Sequence, residues 1–145
     1  MIKIICLGKL KENYLKEMVL DYTKRIRKYH KIEIIELKDE EGLDAEAKNI
    51  LKHIDAKDYV ITLEIKEKNL DSLELAEVIR NTFINYSTIV FVIGSSMGLS
   101  NEVSLRSNLR LSFSSLTFPH GLFRGMLLEQ IYRAFKINNN ENYHK

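Results

Sequence analysis

Thr88-Ile89-Val90-Phe91-Val92-Ile93, running straight into Gly94-Ser95-Ser96-Met97-Gly98, is the stretch on which the fold turns. From Ile89 on, five successive β-branched or aromatic residues favour an extended chain. The lack of polar alternation demands cover on both faces, the position of an inner strand in a parallel sheet. The glycine-bearing loop ends this strand, and Ser100, with Glu102 in the next turn, caps a short helix. Outward from this centre the pattern repeats. Six apolar runs read as strands, of which five are placed, at residues 2–7, 32–37, 59–63, 88–93 and 109–113. Helices are predicted between them at residues 12–28, 44–54 and 72–84, the first with Tyr14, Leu15, Met18, Val19, Tyr22 and Ile26 at helical spacing, the third capped by Asp71-Ser72. A last helix covers about residues 120–137, beginning at the only proline, Pro119. Alternating strands and helices predict an α/β fold, a mainly parallel sheet with helices on both faces, as a single domain over residues 1–145. The polar tail, residues 138–142, is expected to be mobile unless other parts of the fold hold it.

With 45% apolar and 29% charged residues the chain has the composition of a folded domain, long enough to bury a core without metal or disulfide. The single cysteine, Cys6, lies in the first apolar run; it cannot form an internal disulfide and reads as a buried, inert thiol in a reducing compartment. No run approaches the roughly 20 apolar residues of a membrane span, and the first one is cut short by Gly8-Lys9-Leu10-Lys11, unlike a secretory signal. A cytoplasmic protein without membrane contact is expected. Net charge is only +2, but its distribution is uneven. Lys9, Lys11, Lys16, Lys24, Arg25, Arg27, Lys28 and Lys31 crowd the beginning, whereas residues 33–46 are mostly acidic. Such a basic cluster is either a solvated helix face or a contact for RNA phosphates.

In open α/β sheets ligands sit at the carboxyl ends of strands, and three such ends stand out: Leu63-Glu64, the Gly94–Gly98 loop, and the long connection from Leu111 to His120. The second is a tight βα turn or a place where a ligand meets backbone. It lacks the Lys-Ser/Thr pair of a P-loop and the glycine spacing of a dinucleotide fingerprint. In the third, backbone amides and carbonyls could read an adenine edge while Leu116 and Phe118 give apolar contact. On the last helix Leu127, Leu128, Ile131, Ala134 and Phe135 share one stripe, with His120 and Arg124 on the same side and Glu129, Gln130 and Arg133 opposite. An arginine on a buried stripe needs a carboxylate, a subunit interface or a site. His30, His53 and His144 show no metal-ligand spacing and no Cys–His cluster exists, so no metal is expected. The final Tyr143-His144-Lys145 would fray by default, yet tyrosine can stack on a base and lysine can meet phosphate.

Val92-Ile93-Gly94, Leu111-Ser112-Phe113-Ser114, Thr117-Phe118-Pro119-His120, Leu128-Glu129-Gln130-Ile131-Tyr132-Arg133-Ala134 and the terminal Tyr143-His144-Lys145 resemble the bacterial ribosomal RNA large subunit methyltransferase H family of the SPOUT class. Gly8-Lys9-Leu10-Lys11 and Val60-Ile61-Thr62-Leu63-Glu64 resemble it too, so the likeness spans essentially the whole chain. It implies a C-terminal trefoil knot, which no periodicity would predict, a homodimer, S-adenosyl-L-methionine held in the knot, and methylation at N3 of a pseudouridine in 23S rRNA of the assembled ribosome. Carried onto matching positions, the cofactor residues are Leu63, Gly94, Phe113, Ser114, Ser115, Leu116, Thr117 and Phe118. Arg124 and His120 fall near the dimer interface and target base, and Tyr143, His144 and Lys145 become substrate-side residues reaching in from the tail. Either His144 or His120 would accept the N3 proton, and Arg124 and Lys145 would stabilise charge on the uracil ring. A ribosome-binding factor of the same fold without catalysis is the alternative, and a nucleotide-binding oxidoreductase is disfavoured by the glycine spacing.

Three positions depart from the family pattern. Ser95 stands where a second glycine is usual, so a looser approach to the methionine moiety is expected. Gly121 and Gly125 occupy helix positions where bulkier residues are usual, each costing about 1 kcal/mol relative to alanine. The region from Glu40 to Glu46 is shorter than usual.

Overall fold

β1 (Ile2–Leu7), β2 (Ile32–Leu37), β3 (Tyr59–Asn69), β4 (Ile89–Ile93) and β5 (Leu109–Ser112) form one sheet in the order β2-β1-β4-β3-β5, with every pair parallel, in the computed structural model, which describes residues 1–145. The period-2 geometry of each strand sorts its side chains to two cores. Ile4, Cys6, Ile61, Leu63, Phe91 and Ile93 face a core of 20 buried residues, closed by α1 (Asn13–Arg27), α3 (Ser72–Asn85) and α5 (His120–Asn138). Ile5, Leu7, Val60, Val90 and Val92 face a core of 8 under α2 (Leu43–Leu51) and α4 (Asn101–Arg106). All five residues of β4 are buried, each large one contributing about 1.5–3 kcal/mol. Lys3, the one polar residue in β1, sends its ammonium to the carbonyl of His53 at 2.9 Å, just past α2.

Handedness follows from this layering. The steps β1→β2 and β3→β4 move one way along the sheet and use helices of the larger core. The steps β2→β3 and β4→β5 move the other way and use helices of the smaller one. All four crossovers therefore share one hand, as the right-handed rule requires.

The expected α/β architecture is present, with differences that have physical causes. The sheet has five strands, one fewer than the six expected; each placed run forms one. β3 continues six residues beyond Leu63, through Lys66 at φ 59°, and resumes pairing with β5 at Lys68 and Asn69 after a register shift. This polar extension faces no core, so it carries no hydrophobic signal. Gly121 and Gly125 are not merely costly: a Cβ on Gly125 would stand 2.6 Å from the sulfur of Met18, and one on Gly121 2.9 Å from Leu10 and Leu15. They let α5 approach α1 closely. The tail is held rather than mobile. Tyr29 donates to Glu141 at 2.8 Å, Lys136 pairs with Glu141 at 3.1 Å, and Tyr143 donates to Glu129 at 3.0 Å.

Candidate active site

The middle of β3, at residues 63–65 where the sequence analysis had placed its end, and the carboxyl ends of β4 and β5 converge on a cavity of about 440 Å³. Leu63, Gly94, Phe113, Ser114, Leu116, Thr117 and Phe118 line it, and His120 stands at its edge; Ser115 does not contribute to its wall. Two turns shape the rim. The Gly98 amide donates to the Ser95 carbonyl at 2.9 Å, and the Leu116 amide to the Ser114 hydroxyl at 3.0 Å. A Cβ on Gly94 would lie 2.4 Å from the Gly98 carbonyl oxygen, so only glycine leaves this strand end open. Phe113 and Phe118 pack against Phe123, with ring centres 4.9 and 6.3 Å apart. A second cavity, about 420 Å³, opens beside Met18, Leu75 and Met126. It meets the first only at Phe113; Leu70 and Asp71, just past the end of β3, line it together with Met126, Glu129 and Gln130 of α5, and no glycine-bearing loop opens onto it.

The wall of the first cavity contains no lysine or arginine, and its one carboxylate is Glu64. Glu64 accepts from Thr62 at 2.6 Å and Ser104 at 3.0 Å, with Arg110 behind it at 4.0 Å. A dinucleotide would bring phosphates to a pocket with no cationic wall, whereas a sulfonium meets a carboxylate and apolar surface. The volume, the glycine cradle and this charge pattern fit S-adenosyl-L-methionine. No group of three or more His, Cys, Asp or Glu converges as metal ligands would.

His120 and Arg124 begin α5 beside the ends of β1 and β2. Arg124 is 2% exposed: it donates to Glu36 at 2.6 Å and to the carbonyls of Gly8 and Leu7 at 3.1 and 3.4 Å, while its Nε has no partner. Its buried charge is thus met inside the protomer, by a glutamate that sequence patterning had not singled out. Arg124→Ala is expected to lower unfolding stability by about 3 kcal/mol, with Glu36→Gln costing less because it keeps an acceptor; urea midpoints measure both. His120 Nε2 lies 3.2 Å from the Leu7 carbonyl, which can only accept, so Nε2 carries the hydrogen and Nδ1 is left basic. Burial, and the Arg124 charge beside it, hold this imidazole below the ordinary histidine value. Burial likewise pushes the Cys6 thiol up to about 11, leaving it inert.

The tail is not brought to this cavity within one protomer. Arg133 donates to His144 Nδ1 at 3.2 Å, stacks on Tyr143 at 4.7 Å and pairs with Glu129. Between residues 120 and 133 the helix rises about 20 Å, so Tyr143, His144 and Lys145 sit far along α5 from their own His120.

The fold and cavity define a class: the family model described as "Predicted SPOUT methyltransferase" matches residues 1–144. Among solved structures, a probable methylase family protein from Haemophilus influenzae Rd KW20 superposes with TM-score 0.60 at 16% identity, over 96% of this chain and 66% of that one. The SpoU methyltransferase AviRb from Streptomyces viridochromogenes, in complex with AdoMet, gives 0.50 at 7% identity over 95% and 60%. The chain thus spans about two thirds of each of these, and the likeness is one of fold. Over 99% of both chains it is 51% identical to a putative ribosomal RNA large subunit methyltransferase H of Methanococcus vannielii, and 48% identical to ribosomal RNA large subunit methyltransferase H of Clostridium botulinum. The chain belongs to the ribosomal RNA large subunit methyltransferase H family of the SPOUT class.

Proposed function

We propose that the chain is an S-adenosyl-L-methionine-dependent methyltransferase that modifies N3 of a pseudouridine in 23S rRNA of the assembled ribosome. It acts as a cytoplasmic homodimer, with the cofactor held in a C-terminal trefoil knot. Family membership supports this, and the names of the relatives point to large-subunit rRNA. The single observation that carries it is the cavity free of lysine and arginine where three adjacent strands, β4, β3 and β5, meet around Gly94.

Gly94, Leu63, Phe113, Ser114, Leu116, Thr117 and Phe118 would hold the cofactor, with Ser115 outside the cavity wall. When bound, it supplies a methyl group activated by the sulfonium charge. Leu116, Phe118 and Phe123 exclude water, and the protein's main contribution is alignment of the target nitrogen. His120 receives the N3 proton at Nδ1, because His144 Nδ1 is already taken by Arg133. His144, with its hydrogen on Nε2, is left to donate to a uracil carbonyl as negative charge develops, beside Lys145, with Tyr143 stacking on the base. Arg124, its guanidinium spent on Glu36 and two carbonyls, is a positioning residue that fixes the start of α5. The distance of the tail from its own cavity supports a role for these end residues in the neighbouring subunit's site.

Purified protein should bind S-adenosylhomocysteine by calorimetry and transfer methyl to ribosomes, with poor activity on protein-free 23S RNA. No heat at millimolar ligand would sink the cofactor assignment. A deletion strain whose 23S rRNA keeps its methyl mark by mass spectrometry would instead indicate a binding factor without activity. The pH profile carries the sign of the His120 shift. A base held below the ordinary 6.5 is already neutral at pH 7, so kcat/KM should stay flat there and fall only as pH drops below 6.5. His120→Asn should remove most of the activity and that acid limb with it.

A further inference from the structure

Glu46 is 2% exposed yet forms no ion pair, its charge lying in the first turn of α2. A buried carboxylate is costly unless hydrogen bonds replace its water. Two do so, and both come from loops. The Ser95 hydroxyl donates to Glu46 Oε1 at 2.9 Å, and the Glu40 amide approaches Oε2 at 3.4 Å. The same Ser95 oxygen accepts from the Met97 amide at 3.3 Å, while the Ser95 carbonyl accepts from Gly98 at 2.9 Å. Ser95, Met97 and Gly98 all line the strand-end cavity. One hydroxyl is therefore the hub of the cavity's rim, and its only charged partner is a side chain on the helix layer behind it. A glycine at position 95 could not make this tie.

We propose that Glu46 is a positioning residue for the methyl-transfer site: through the Ser95 hydroxyl it fixes the 94–98 loop in the shape that closes on the cofactor. The proposal rests on the methyltransferase reading and adds to it a residue that touches neither cofactor nor RNA. A charge-assisted hydrogen bond anchors a loop more firmly than a neutral one, so its loss should be felt mainly in cofactor affinity.

The test uses the full-length protein, with calorimetry against S-adenosylhomocysteine, KM for S-adenosylmethionine, kcat, and Tm. Glu46→Ala and Ser95→Ala should each raise Kd and KM about tenfold with kcat within about twofold. The double variant should be no worse than Glu46→Ala, since both changes break one tie. Glu46→Gln, whose side-chain oxygen still accepts from Ser95, should recover most of the affinity. A fall in Tm with Kd and KM at wild-type values would overturn the proposal, as would two single losses that multiply in the double variant. If Glu46→Ala does not fold, Ser95→Ala, a loop change, decides by the same readouts. Failure of the wild-type protein to bind would reject the methyltransferase reading and this proposal together. Wild-type binding with unaffected variants rejects this proposal alone.

Discussion

Gly94→Ala is expected to raise the dissociation constant for S-adenosylhomocysteine about 100-fold and to abolish methylation at ordinary cofactor concentrations. The added methyl would stand 2.4 Å from the Gly98 carbonyl oxygen, 2.8 Å from the Gly98 carbonyl carbon and 2.9 Å from Leu99. Two of these atoms are backbone, and they belong to a turn already closed by the Gly98 amide on the Ser95 carbonyl. No rotamer change relieves such a clash, so the loop must swing away from β4. Overpacking of this kind costs about 1–3 kcal/mol, the upper end of which corresponds to about 100-fold in binding. Gly98→Ala is the internal control. Nothing lies within 4 Å of its Cβ, but its φ of 86° strains any side chain. That strain is about 1–2 kcal/mol, so a loss smaller than that of Gly94→Ala is expected. Circular dichroism separates loss of the cavity from loss of the fold. Wild-type affinity in Gly94→Ala would mean that the cofactor does not use this loop.

What was legible in the sequence was what repeats. The run from Ile89 to Ile93 identified an inner strand because every side chain in it is buried, and the two periodicities of strand and helix located the other elements to within a few residues, save the far end of β3. The three strand ends could be named because open sheets offer their ligand sites there. Pairings across long sequence separations left no such trace. Glu36 and Glu46 stood in an acidic stretch and nothing set them apart, yet one neutralises Arg124, 88 residues away, and the other holds Ser95, 49 residues away. Gly125 read as a helix defect until Met18 of α1 was found against it. The polar end of β3 joins β5 through backbone hydrogen bonds, which no side-chain pattern records. What holds the tail was hidden for a related reason. Its anchors, Tyr29 in the turn after α1 and Glu129 and Arg133 on α5, come together only in the folded chain.

The position of that tail leads to the second large effect, one that appears only in a mixture. His144→Ala should lose about 100-fold in kcat, the usual consequence of removing one donor aimed at developing charge, while cofactor binding stays intact. Gly94→Ala protein lacks the cofactor but keeps a sound tail. If each tail serves the neighbouring subunit, a dimer containing one copy of each variant has one site with an intact cavity and an intact tail, and one site with neither. Random co-assembly makes half of all dimers mixed, so co-expressed variants should recover about a quarter of wild-type activity per total protein. If the tail instead served its own cavity, every site in every dimer would carry one defect and the mixture would stay as inactive as its components. The roughly 20 Å rise of α5 between His120 and the Arg133 that holds His144 favours the first outcome. Mixed dimers that form, as shown by differently tagged copies purifying together, and yet recover nothing would confine the active site to one chain. They would also remove His144, Tyr143 and Lys145 from the partner's chemistry.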